Sequence, residues 1–60
     1  MKDDSIYIDH IINSIQRIES YIQSMSYKSF TEDLMVQDAV VRQLEIIGEA
    51  SKKISQELRN

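Results

Sequence analysis

Residues 8–25 read Ile8-Asp9-His10-Ile11-Ile12-Asn13-Ser14-Ile15-Gln16-Arg17-Ile18-Glu19-Ser20-Tyr21-Ile22-Gln23-Ser24-Met25, and this stretch decides the fold. Isoleucine is β-branched, so propensity alone favours a strand. Periodicity favours the opposite. Ile8, Ile11, Ile12, Ile15, Ile18, Ile22 and Met25 are separated by 3, 1, 3, 3, 4 and 3 positions, which places them on one stripe of an α-helix. Only Ile6-Tyr7-Ile8 alternates by two, as a strand requires. The opposite face carries Asp9, Asn13, Gln16, Arg17, Ser20 and Gln23, a solvated surface. Asp3, Asp4 and Ser5 supply acceptors and negative charge where a helix start leaves free N–H groups. The periodicity fades at Ser24-Met25-Ser26, where the helix is expected to stop.

A connector and a second helix follow. Ser29-Phe30-Thr31-Glu32 fits a capping box, so a short helical turn is expected around 27–33, with Phe30 tucked inward. Val36, Val40, Leu44, Ile47, Ile54 and Leu58 then form a second stripe, with Ser51 filling the seam. Ala39, Ile46 and Ala50 widen it into a face too broad for one partner helix. Asp38 with Arg42, and Glu49 with Lys52 and Lys53, have the spacing of helix ion pairs. Lys52, Lys53 and Arg59 complement the dipole towards the helix end. The expected fold is all-α: a helical hairpin of two long helices with a short helical connector. Two helices cannot bury both broad faces, so the chain either oligomerises or forms the front of a larger bundle.

Composition narrows the function classes. The chain has 60 residues, one glycine, no proline, no cysteine and a net charge of −3. One small domain is the ceiling. Mild acidity argues against a dedicated nucleic-acid module, which normally carries a basic face. No disulfide framework exists, and one histidine cannot supply a zinc site. No apolar run exceeds three residues, so no membrane span is expected. The start does not resemble a signal peptide. The expectation is a soluble, cytoplasmic helical chain without a cofactor or metal.

Few residues carry chemistry. His10 is the single histidine and follows Asp9; a general acid or base is conceivable, but without partners it reads as a boundary residue. Glu45 and Glu49 share a helix face, as carboxylates of a bundle metal site do. The Glu-x-x-His pair of such sites is missing, which leaves a solvated or salt-bridged face. The pairs Asp3-Asp4 and Glu32-Asp33 have the wrong spacing for a calcium loop and read as helix-start signals. Phosphate loops and nucleophile elbows are absent. Gly48 interrupts a helix interior at about 1 kcal/mol relative to alanine, so something should approach it closely: a neighbouring helix backbone, a ligand or a partner chain.

The segment Gln37-Asp38-Ala39-Val40-Val41-Arg42-Gln43-Leu44-Glu45-Ile46-Ile47-Gly48-Glu49-Ala50-Ser51-Lys52-Lys53-Ile54-Ser55 closely resembles the "QDAVxRxLExIGEAxKxLS" stretch of HepT-like proteins, members of the HEPN superfamily of helical domains. The opening with its Asp pair, Tyr7, Asp9-His10-Ile11 and the run to Tyr21 is also similar, as is 26–33 with its Phe. The resemblance covers essentially all 60 residues. It implies a ribonuclease toxin of a bacterial or archaeal, type VII-like toxin–antitoxin pair. It also implies a homodimer, RNA as substrate, and an MNT-type nucleotidyltransferase antitoxin that modifies a tyrosine.

The family's catalytic signature is Arg, four to six residues, then His. It is absent here: no histidine follows Arg17, Arg42 or Arg59, and His10 precedes every arginine. No catalytic residue therefore carries over, and Tyr7, Tyr21 and Tyr27 do not match the modified tyrosine, which follows that histidine. Residues 1–60 are expected to be the N-terminal part of a HepT-like domain, truncated and inactive alone. Arg42, Glu45, Gly48 and Glu49 match the family block and are the candidate cleft or interface residues. Two alternatives stand beside this reading: a non-catalytic interaction or dimerisation module, and an unrelated helical oligomer.

Overall fold

The computed structural model describes residues 5–59. It contains α1 (Ser5–Ile22), α2 (Tyr27–Glu32) and α3 (Leu34–Arg59), the expected hairpin with its short helical connector. The expected roles of Asp3 and Asp4 fall outside the described residues.

The connector turns on hydrogen bonds. α1 closes with Gln23 N–H donating to Glu19 O at 2.9 Å and Met25 N–H to Ile22 O at 3.0 Å. Ser26 then caps α2: its Oγ accepts from Ser29 N–H at 3.0 Å, while Ser29 Oγ accepts from Ser26 N–H at 2.9 Å. The capping box thus lies three residues before the expected Ser29–Glu32 pair. A cap needs extended backbone, which Ser26 has (φ −82, ψ 165), and Ser29 already lies inside the helix. Serine in place of glutamate at the third helical position hid the motif. Asp33, expected as a helix-start signal, joins the two remaining helices. Its N–H donates to Phe30 O at 3.2 Å, and its Oδ1 accepts from Val36 N–H at 3.0 Å at the start of α3. Gln37 Nε2 donates to Phe30 O at 2.8 Å, tying α2 to α3. No described residue has positive φ, so the turn needs neither glycine nor proline.

α1 and α3 pack along each other antiparallel: Tyr7 shares a groove with Ala50, and Ser14 shares one with Gln43 and Ile46. Tyr7, Ile11, Ser14, Ile18 and Tyr21 face the seam from α1, with Met25 of the connector continuing the row; Val36, Val40, Gln43, Ile47, Ala50 and Ile54 face it from α3. Both sets step by 4 and 3, the spacing of knobs-into-holes packing. Among the described residues Ser14, Gln43 and Ala50 are buried, and the small side chains of Ser14 and Ala50 let the backbones approach. Gln43 Oε1 is buried without a hydrogen-bond partner.

The seam is narrower than the apolar stripes. Of the seven-residue stripe on α1, only Ile11, Ile18 and Met25 are half-buried; Ile8, Ile12 and Ile15 remain 46–47% exposed and Ile22 38%. On α3, Leu44 and Leu58 are exposed although the sequence puts them in the stripe. The cause is geometric, because a helix in contact with one neighbour buries a seam and not a broad face. Shape agrees. The chain measures 45 × 14 × 14 Å with a radius of gyration of 14.1 Å, against about 10 Å for a compact 60-residue domain.

Two local expectations change. The spacings of Asp38 with Arg42 and of Glu49 with Lys52 or Lys53 do not close into ion pairs among the described residues, in keeping with the small value of exposed pairs. Gly48 is not approached by any helix of this chain: a Cβ built on it meets nothing within 4 Å. The expected close contact is therefore absent within the hairpin.

Two stability outcomes follow. At micromolar concentration Gly48→Ala should raise helicity and melting temperature, reflecting up to about 1 kcal/mol of recovered propensity; circular dichroism showing a loss would mean something presses on that position. Gln43→Met should also stabilise the hairpin, because it removes an orphaned buried acceptor costing about 1–3 kcal/mol. A lower melting temperature for Gln43→Met would show that the amide is satisfied in solution.

Candidate functional site

Charge divides the hairpin lengthwise. On α1, His10, Asn13 and Arg17 recur every three or four residues and so flank the seam on one side. On α3, Arg42, Glu45, Glu49 and Lys53 do the same. Because the helices run antiparallel, these two polar rows border the same trough.

One part of the trough lies beside the first two turns of α1. A groove of about 590 Å³ is lined there by Tyr7 and His10 from α1, and by Arg42, Glu45, Ile46, Gly48, Glu49, Ala50 and Lys53 from α3. All four candidate residues, Arg42, Glu45, Gly48 and Glu49, border it. Tyr7 and His10, one turn apart, meet edge to face with ring centroids 6.5 Å apart at 83°. A second groove of about 400 Å³ continues along the seam past His10, Asn13, Ser14, Arg17, Gln43 and Ile46. A third reaches Gln16, Ser20 and Tyr21. His10 lines the first two, so it stands where they meet.

The arrangement sets limits on chemistry. His10 is exposed and can accept or donate a proton. Arg17, Arg42 and Lys53 offer positive charge to a phosphate. Glu45 and Glu49 place negative charge in the same groove, so the trough is mixed rather than basic. No group of three His, Cys, Asp or Glu converges on a metal-sized site among the described residues. Neither does the trough assemble a nucleophile, a base and an orienting group in the manner of a complete catalytic site.

The candidates read from the sequence, Arg42, Glu45, Gly48 and Glu49, all lie on the α3 side of this groove, and none lies on α1. Tyr7 and His10 reach it because the seam runs through Tyr7 and Ser14 rather than through the centre of the isoleucine stripe. Arg17 shares a groove with His10 because seven residues are two helical turns, a spacing that was legible but pointed to no known motif. Lys53 stands one turn beyond Glu49 and could have been found by the same count.

Comparison with known proteins adds identity to this geometry. The family described as "Ribonuclease HepT-like" matches residues 11–60. A "Gamma-glutamylcyclotransferase and putative RNase" of Methanocaldococcus jannaschii is 45% identical over 58 residues, covering 97% of this chain and 26% of that protein. A "Probable ribonuclease HepT" of Thermococcus cleftensis is 40% identical over 53 residues, covering 88% of this chain and 48% of that protein. The chain thus spans half or less of the length of these relatives. No solved structure matches. The match over most of the chain, on a hairpin whose α3 carries the Gln37–Ser55 block intact, settles the family: the chain belongs to the HepT-like ribonucleases.

Proposed function

We propose that the chain is the N-terminal helical part of a HepT-like ribonuclease toxin, and that these sixty residues do not cleave RNA on their own. The observation that carries this is a conjunction. The family matches residues 11–60, yet no histidine follows an arginine at the family's spacing anywhere in the sequence. The family's chemistry needs cationic charge on the phosphate and an imidazole acting on the 2′-hydroxyl. Here His10 lies in the trough with Arg17 and Arg42, without the order or spacing of the signature.

In this reading Arg42, Glu45, Gly48 and Glu49 border the cleft in which the family meets RNA or its partner. The resemblance names that partner as an MNT-type nucleotidyltransferase antitoxin, and it implies a homodimer in the cytoplasm. No helix among the described residues is long and apolar enough to cross a membrane. One observation favours a second role, that of an interaction module: Ile6, Ile8, Ile12, Ile15, Val41, Leu44 and Leu58 are each at least 46% exposed, a surface suited to binding helices rather than substrate.

The purified chain should leave RNA uncleaved above a blank preparation. Cleavage abolished by His10→Ala would overturn the proposal, since it would show that the trough is catalytic without the signature.

A further inference from the structure

Gln43 is the one polar member of the α3 seam row, which otherwise reads Val36, Val40, Ile47, Ala50 and Ile54. It is 8% exposed, and its Oε1 is buried without a donor. An apolar residue would fill the position at lower cost, because a buried acceptor left unpaired forfeits its hydration. The side chain is not sealed inside the seam. Gln43 also lines the groove of about 400 Å³, together with His10, Asn13, Ser14, Arg17 and Ile46. The terminal torsion of glutamine is soft, so the carboxamide can turn towards a molecule in the groove while α3 stays in place.

The rest of the groove narrows the chemistry of that molecule. Glu45 and Glu49 line the neighbouring groove of about 590 Å³, but neither lines this groove or the third. Arg17 lines both of these, and it is their single formally charged residue among the described ones. An anion is therefore attracted here with no carboxylate in the lining to oppose it. His10 and Ile46 supply a planar ring and an apolar wall, the surfaces on which a flat heterocycle stacks. The His10 ring is braced by Tyr7, whose ring centroid lies 6.5 Å away. An unpaired acceptor, a flat contact and a cation two helical turns beyond His10 together suit one kind of ligand. It is a flat group with an N–H on its edge, joined to a phosphate.

We propose that this groove captures a nucleotide, with the Gln43 carboxamide reading the edge of its base. Oε1 accepts the exocyclic N–H and Nε2 donates to the adjacent ring nitrogen; adenine presents this pair, and glutamine meets it bidentately. Arg17 holds the phosphate, which positions the base without reading it. The bound base supplies the donor that the seam withholds from Oε1, so a polar residue at this position serves recognition at the expense of packing. The inference rests on the ribonuclease reading for its biological sense. It adds a base-reading residue that lies apart from Arg42, Glu45, Gly48 and Glu49.

Adenosine monophosphate tests this separately from cleavage, because it contains no phosphodiester. Its titration into the unmodified chain, followed by amide chemical shifts, should perturb His10, Arg17 and Gln43. It should bind at least about fivefold more tightly than ribose phosphate, and by a similar factor than the dimethylated analogue whose exocyclic nitrogen has no hydrogen. Gln43→Met, expected above to fold at least as stably, should lose the preference over the dimethylated analogue and keep its affinity for ribose phosphate. Arg17→Ala should weaken all three ligands. Equal affinities in the unmodified chain, a preference that survives Gln43→Met, or no binding of adenosine monophosphate would each overturn the proposal. RNA cleavage by the chain would count against the ribonuclease reading above and leave this result standing.

Discussion

A helix packed against a single neighbour can bury one seam. Everything distinctive about this hairpin follows from that constraint. α1 and α3 each carry apolar residues over far more of their circumference than a seam uses, so half of the isoleucine stripe stays in water. The seam itself is made narrow by Ser14 and Ala50, and it is interrupted by the unsatisfied amide of Gln43. Among the described residues no large side chain is fully buried. The hairpin is a single layer, whereas stable domains pack two or more around a core.

The same constraint separates two surfaces. Rotated one way from the seam, the helices present His10, Arg17, Arg42, Glu49 and Lys53 around a shared trough. Rotated the other way, they present Ile8, Ile12, Ile15, Val41 and Leu44. Chemistry and assembly need not compete for the same residues, since a partner on the apolar side leaves the trough accessible. Gly48 lies at the border of the two. It lines the groove edge and leaves open space beside it, at a position where alanine would be the better helix former.

Much of this was legible in the sequence. The 3-and-4 spacing from Ile8 to Met25 identified α1 despite its β-branched composition, and the short helix carrying Phe30 was expected where α2 lies. Asp33 read correctly as a helix start. The burial pattern was less legible. Hydrophobicity marks a face, but the seam within that face is chosen by where small residues allow the closest approach, so Tyr7, Ser14, Tyr21 and Gln43 took inward positions that no apolar count would assign. The Ser26–Ser29 box escaped notice because serine replaces the usual acidic partner. Gly48 pointed to close contact, and none exists within the hairpin. Arg42, Glu45, Gly48 and Glu49 line one groove with Tyr7 and His10, and the α1 pair could be added only once the packing of the two helices was known.

The central claim is that this hairpin is an incomplete layer, and the most direct test is helicity as a function of concentration. Far-ultraviolet circular dichroism of the unmodified chain, followed over a roughly hundredfold range of dilution, should show helical signal and melting temperature rising together with concentration, as mass action requires when folding and association are coupled. A cooperative melt at one temperature, with full helicity throughout the range, would contradict the account, because it would show that a single seam suffices.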